Sequence, residues 1–334
     1  MRKKAGRLLL PAGAAALILA SGLALVTGRY SLSMRDIALI IAGSCEDSMK
    51  TAVFLDIRLP RVMLSALSGA ALALAGWVYQ SVLMNSLASP DVLGVGSGCA
   101  IGAAAGILMG MGNGAIQFFS LAMGLITVAL TMLLARAIGR DRSVTMLLSG
   151  IAVGALANSA IMLMKYTADP ERQLPTIEYW LMGSFHSASW NGIFSVLPWL
   201  IPCAAMIILL RHPVRLISLG DEESRALGVP TTAVRYVSLA AATGLVAATV
   251  SVVGAVSWIG LIVPHLCRIV SGEHRRTPAE VILWGAALLT SADLAARSLT
   301  SGEIPISILT SFMGAVFLGA VLIMRRRRAG RDAS

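Results

Sequence analysis

The sequence predicts an all-α polytopic membrane protein with about ten transmembrane helices, and three observations carry that prediction. Of the 334 residues, 57% are hydrophobic and only 13% charged, with a mean hydropathy of +0.79, more apolar surface than a water-soluble domain can hide. Apolar windows near the roughly 20 residues that span a bilayer fall at 8–26, 62–83, 92–111, 115–138, 144–164, 190–210, 233–253, 255–271, 279–299 and 305–324. With the N-terminus inside and all ten windows crossing, 19 of the 27 Lys and Arg lie inside and 8 outside, as the positive-inside rule requires. Dropping one crossing would move the cluster Arg325 to Arg328 outside, so the even count belongs to the same reading. Both termini are then expected in the cytoplasm.

The basic start "MRKKAGR" resembles a signal peptide, but the apolar run behind it approaches spanning length without a clear cleavage site, so it reads as the first membrane helix. The second window opens at "DIRLPRVMLSAL", with Arg58 and Arg61 at its outer entrance, three apart and so on one face if both are helical. Gln80 and Asn85, near its inner end, suit satisfied packing residues or groups lining a path. "NSLASPDVLG" then supplies a helix start, with Ser89 or a neighbour as cap and Pro90 in the first turn. Gly94, Gly98, Gly102, Gly106 and Gly110 follow at every fourth residue. Such a stripe either lets another helix approach closely or forms the wall of a permeation path.

On the outside, "KYTADPERQLPTIEYWLMGSFHSASW" is too interrupted to span, yet Ile177, Trp180 and Leu181 after Pro175 have near-helical spacing, which suits an interfacial or re-entrant helix. The longest inner connection, 211–235, reads "RHPVRLISLGDEESRALGVPTTAVR". Asp221, Glu222 and Glu223 crowd the start of a two-turn helix, Arg225 sits nearer its end, and Gly228 with Pro230 stops it. A helix so short needs a surface to rest on, either its own bundle or a cytoplasmic partner subunit. The window at 255–271 is the weakest, interrupted by Pro264, His265 and Arg268, and it joins the preceding one through a short polar break. In the ninth window Asp293 and Arg297 stand four apart, a spacing that lets them partly neutralise each other. That leaves Arg58 and Arg61 with Asp56 as their only evident acidic neighbour. They would then serve either lipid headgroups or the carboxylates of an extracytoplasmic protein, a task that suits the guanidinium fork.

Several function classes are excluded. The basic residues sit in short clusters between apolar segments, not along a nucleic-acid-binding face. Cys45, Cys99, Cys203 and Cys267 form no C-x-x-C, and His186, His212, His265 and His274 have no ligand-spaced partners, so neither a disulfide framework nor a metal site is expected. No G-x-x-x-x-G-K-[ST] occurs, and Lys3, Lys4, Lys50 and Lys165 are the only lysines, so nothing here hydrolyses a nucleotide by a P-loop, and an energy source, if there is one, is on another chain. No nucleophile triad or paired catalytic carboxylates are visible. A secondary, ion-coupled transporter is the main alternative, but it usually carries ionisable residues at mid-membrane, and the window centres here are almost free of them.

The segments 58–98, "LLSGIAV" (147–153), "YWLMGSF" (179–185), "LGDEESRALGV" (219–229), "WIGLIVPHLCRIVSGEHR" (258–275) and 291–318 together resemble the FecCD-type permeases of binding-protein-dependent ABC importers. The likeness runs in order over nearly the whole chain. It implies one permease domain over 1–334 of the large type II, cobalamin-importer-like class, in a bacterial inner membrane, carrying an iron(III)-siderophore, haem or cobalamin. The resemblance further implies a dimer of identical or similar permeases, two cytoplasmic ATPase subunits holding the ATP and Mg, and an extracytoplasmic solute-binding protein. This chain itself would bind no cofactor. The positions matching Arg58, Arg61 and Arg297 would receive glutamates of the binding protein. Leu219, Gly220, Asp221, Glu222, Glu223, Arg225, Ala226, Leu227 and Gly228 would enter a groove of the ATPase. The chain departs from the family pattern at Ser86, where proline is frequent, and around Ala255, and neither departure removes a charge.

Overall fold

The computed structural model describes residues 2–139, 142–271, 277–300 and 302–332, and among them it is all helical. In chain order the helices are α1 (Arg2–Val26), α2 (Met34–Ile41), α3 (Ser48–Ala52), α4 (Leu59–Val82), α5 (Val95–Leu108), α6 (Asn113–Ile138), α7 (Arg142–Thr167) and α8 (Gln173–Met182). They continue as α9 (Trp190–Leu209), α10 (Arg211–Ile217), α11 (Asp221–Ala226), α12 (Thr231–Val253), α13 (Ile259–Ser271), α14 (Pro278–Ser298) and α15 (Ile306–Asp332). Eight are long and apolar enough to cross a membrane, the second of them being the continuous run Ser48–Val82, and α5 and α13 are shorter apolar helices. Every predicted window therefore holds a helix.

The two short helices explain the weak signals. Fourteen residues at 1.5 Å rise give α5 about 21 Å, less than the roughly 30 Å hydrocarbon core. Each is preceded by irregular backbone. Ser89 and Pro90 do not start α5 as the sequence suggested: Pro90 opens a separate 3-10 turn, Pro90–Leu93, Ser89 makes no side-chain cap bond, and Gly94 at φ 78° breaks the chain before Val95. Between α12 and α13 the polar break is a true interruption, with Gly254 at φ 78° and Trp258 at φ 73°. Backbone of this kind survives at membrane depth only when protein surrounds it. Here Ser184 N–H donates to Val253 O at 2.8 Å and Ser307 Oγ–H to Ala255 O at 2.6 Å.

α4 and α12 form the buried centre, each 78% buried over its most apolar window, whereas α1 and α15 are 22% buried and α7 and α9 28%. The peripheral helices turn Ile18, Leu156, Ile201 and Phe312 outward, the arrangement expected of a surface facing lipid tails. α4 and α14 run antiparallel with backbones almost touching: a Cβ on Gly69 would lie 2.2 Å from Gly285 O, and one on Gly285 would lie 2.4 Å from Gly69 O. Gly69 and Gly285 thus mark the point of closest approach of the two helices. Small residues are what allow this, because lipid supplies no hydrophobic force between helices and close van der Waals contact must do so. The same register places Ser65 beside Thr290 (3.2 Å) and Arg61 beside Asp293 (2.8 Å).

Candidate docking and coupling sites

At one end of the bundle, α3 passes into α4 through a π-helical turn, Val53–Arg58, in which Leu59 N–H reaches five residues back to Phe54 O. Pro60 accounts for it, since its ring has no N–H and crowds the carbonyl four residues earlier. Arg58 and Arg61 are both buried, 4% and 7% exposed. The Arg58 guanidinium donates to Leu25 O at 2.6 Å, to Val26 O at 2.7 Å and to Tyr30 O. Leu25 O and Val26 O are unsatisfied carbonyls at the C-terminus of α1, which attract a cation, and Tyr30 O belongs to the loop that follows. Gly28 keeps the approach open, because a Cβ there would lie 2.7 Å from Arg58 Nη2.

Arg61 is engaged on both sides. Its Nε and Nη2 bond Asp293 at 3.0 and 2.8 Å, and its Nη1 and Nη2 bond Glu303 at 2.9 and 3.0 Å. Asp293 therefore hydrogen-bonds Arg61 across the helix pair, while its charge still offsets that of Arg297 along its own helix, as the four-residue spacing had suggested. Its short arm points into the α4 interface, whereas the longer arm of Arg297 reaches past it to donate to Ala24 O. Nor is Asp56 a partner: it is exposed, and the acids on Arg61 come from α14 and the loop after it. Glu303 lies 3.5 Å from the exposed His186. Burial alone would raise the Glu303 carboxyl, but Arg61 and His186 outweigh it and hold the group below its ordinary value. Asp293, Arg61, Arg58 and Glu303 all lie within electrostatic reach of Arg297.

The opposite end carries α10 and α11. α11 ends on a Schellman motif: Gly228 N–H donates to Arg225 O at 2.9 Å, Val229 N–H to Ser224 O at 3.0 Å, and Gly228 takes φ 80°. The helix is held to its own bundle by one acid: Asp221 accepts from Arg235, itself 1% exposed, at 2.6 Å. Ser224 Oγ–H donates to Leu216 O at 2.7 Å. Ala226 and Arg225 are exposed, and Arg225 Nε lies 3.3 Å from Thr231 Oγ1. Glu222, Glu223, Leu219 and Leu227 point outward, the two leucines 48% and 61% exposed, and no ion pair holds either glutamate among the described residues.

The remaining predicted positions resolve mostly as packing. A Cβ on Gly98 would sit 2.3 Å from Thr127 Oγ1 and one on Gly102 2.1 Å from Phe119 O, so this stripe seats α6 on α5. Gly94 is the left-handed break and Pro90 the start of the 3-10 turn. Gln80 donates to Leu261 O at 3.1 Å and accepts from Arg268 at 3.2 Å, tying α4 to α13, while Asn85 Oδ1 caps Leu87 N–H at 2.9 Å. The connection between α7 and α9 forms the helix α8, with Ile177 1% exposed. Among the described residues no group of His, Cys, Asp and Glu is placed to hold a metal. Sequence reasoning missed Glu303 and Arg235, since their partners lie on other helices.

A polytopic helical bundle with two discontinuous apolar helices, a buried cationic cluster at one end and an exposed acidic helix at the other defines a membrane permease that works with partner chains. The chain belongs to the FecCD transport family, whose model matches residues 16–325. It is 35% identical over 322 residues, 95% of each chain, to the molybdate import system permease protein MolB of Haemophilus influenzae. It is 36% identical over 278 residues, 81% of this chain and 83% of the other, to the vitamin B12 import system permease protein BtuC of Escherichia coli O9:H4. A solved inward-facing ABC transporter assigned to the metal-chelate type superposes with a TM-score of 0.85 at 32% identity, over 94% of this chain and 98% of that one. The chain is thus the permease of an ABC importer and a multi-pass membrane protein.

Proposed function

We propose that this chain moves a metal chelate inward, an iron(III)-siderophore before haem, cobalamin or molybdate, as half of a permease dimer driven by ATP hydrolysis on two separate ATPase subunits. The observation that carries the reading is the gathering of Arg58, Arg61 and Arg297 from two antiparallel helices at the end where a binding protein would dock. In this conformation Arg58 and Arg297 hold the C-terminus of α1 and Arg61 holds Asp293 and Glu303. Docking would then exchange internal acceptors for glutamates of the binding protein, and that exchange links delivery of cargo to the packing of α1, α4 and α14. Asp221 anchors the coupling segment while Glu222, Glu223, Leu219 and Leu227 form its face toward the ATPase. The orientation that puts this segment in the cytoplasm follows the positive-inside partition, in a bacterial inner membrane with both termini inside.

The test of the machinery is reconstitution with the binding protein and the ATPase in liposomes. Reversing both charges, Arg58→Glu with Arg61→Glu, should abolish stimulation of ATP hydrolysis by the binding protein. Undiminished stimulation in a complex that still assembles would overturn the docking role. The cargo is read from uptake of labelled ferric siderophores, haem, cobalamin and molybdate in a deletion strain. Molybdate uptake alone would replace the siderophore assignment, leaving the class intact.

A further inference from the structure

A cleft at the end of the bundle opposite Arg61 joins two chemically different halves. Its mouth is a cavity of about 360 Å³ between the end of α9, α10 and the start of α14, lined by Ile208, Arg211, His212, Arg215, Thr277 and Ile282 among others. Its continuation is an apolar groove of about 170 Å³ with α4 at its floor, walled by Leu197, Leu200, Ile201 and Ala204 of α9 and again by Ile282. Ile282 lines both, so the halves adjoin.

The charge at the mouth is uncommitted. Among the described residues no carboxylate ion-pairs with Arg211 or Arg215, and the Arg211 Nε lies only against His212 Nε2 at 3.3 Å. Glu280 is within electrostatic range of Arg215, but its carboxylate is turned back onto the α14 cap, where it accepts the Thr277 N–H at 3.4 Å. Thr277 opens the 21-residue α14, whose positive end adds to the same field. The groove runs inward from there as one acyl chain would, from Ile208 past Ala204 to Leu197, a rise of about 16 Å along α9.

We propose that this cleft binds one anionic phospholipid of the inner leaflet, its phosphate between Arg211 and Arg215 and one acyl chain in the groove between α9 and α14. The inference rests on the orientation proposed above, which puts this end at the cytoplasmic surface, where basic pockets between helices meet anionic headgroups. A bound lipid would wedge α9 beside α10 and so brace the coupling segment from the membrane side. A phosphate ion would use the mouth and leave the groove empty. A second copy of the chain would fill the groove but bring no counter-charge that the cleft itself specifies.

The test uses the full-length permease in nanodiscs of phosphatidylethanolamine with phosphatidylglycerol, the retained lipid being counted by native mass spectrometry. The wild type should retain phosphatidylglycerol selectively. Arg211→Gln with Arg215→Gln should cut that selective retention about 30-fold, the worth of two basic residues near an anionic surface. Ala204→Trp, which fills the groove without altering charge, should lower retention of that lipid, while Arg172→Gln, an exposed arginine on the other side, should not. Unchanged retention in the double arginine variant overturns the proposal. So does competition by inorganic phosphate with no effect of Ala204→Trp, which marks a free-anion site, and so does a change in dimer mass in place of lipid loss. Because neither binding protein nor ATP is present, failure here is distinct from failure of the transport reading.

Discussion

Arg61 illustrates how a cation can be kept at a membrane rim without being free. Its side chain is 9% exposed and grips two carboxylates of different character, Asp293 at 2% and Glu303 at 25%. Removing one partner of a buried pair leaves the other charge unpaired, so Asp293 is structural and Glu303 is the exchangeable one. For a docking glutamate to reach Arg61, Glu303 must leave, and Glu303→Gln should tighten association with the binding protein about fivefold, the value of one half-exposed pair of roughly 1 kcal/mol. Equilibrium binding in nanodiscs checks this, and weaker binding would mean that Glu303 is itself a docking residue. Since the folded-state carboxyl is held below its ordinary value, the pair's contribution is present above the ordinary glutamate range and is lost as pH falls through the depressed one. The sequence singled out all three arginines, but it gave Asp293 to Arg297, its neighbour on the same helix. Its hydrogen-bond partner is 232 residues away. The close approach of Gly69 and Gly285 sets the register that brings the pair together, and a single sequence carries no signal for which two glycines will meet.

Among the elements, α11 divides its acids by direction. Asp221 at the first position turns back to Arg235 on α12, and the next two glutamates cannot, because successive helical positions are rotated by about 100°. The sequence left open whether this helix rests on its own bundle or on a partner, and the structure shows that it rests on the bundle through Asp221 and Ser224 while presenting another face outward. Glu222→Lys with Glu223→Lys should therefore reduce the ATPase that copurifies with the permease by about tenfold, with thermal stability unchanged, as expected of charges on an interface. Undiminished copurification would remove these residues from the interface. Helix starts were less legible. The proline at 90 looked like the first turn of α5, but a proline can open a 3-10 turn as readily as an α-helix, and only the positive φ at Gly94 separates the two. The π-helical turn before α4 left no periodic signature at all, since one extra residue per turn hardly changes an apolar pattern.

For the molecule as a whole, the two functional ends are tied to the two ends of one buried helix. From Arg61 to Val82, α4 rises about 31 Å, close to the hydrocarbon thickness, so the arginine cluster and the coupling segment must face opposite sides. α14 runs antiparallel beside it and carries Arg297 at one end and the lipid-cleft residue Ile282 near the other. The same two helices that position the proposed docking arginines thus border the cleft near the proposed coupling segment, and a tilt of α14 against α4 would be felt at both ends. The charge partition proposes which side is which, and it yields a decisive measurement. In a chain freed of its native cysteines, Ser44→Cys in the outer loop should react with an impermeant maleimide in intact cells or spheroplasts. Ser218→Cys, between α10 and α11, should react only after permeabilisation. The reverse pattern would place the arginine cluster in the cytosol, where no solute-binding protein could reach it, and would put α11 beyond the reach of any ATPase, so one labelling experiment bears on docking and coupling together.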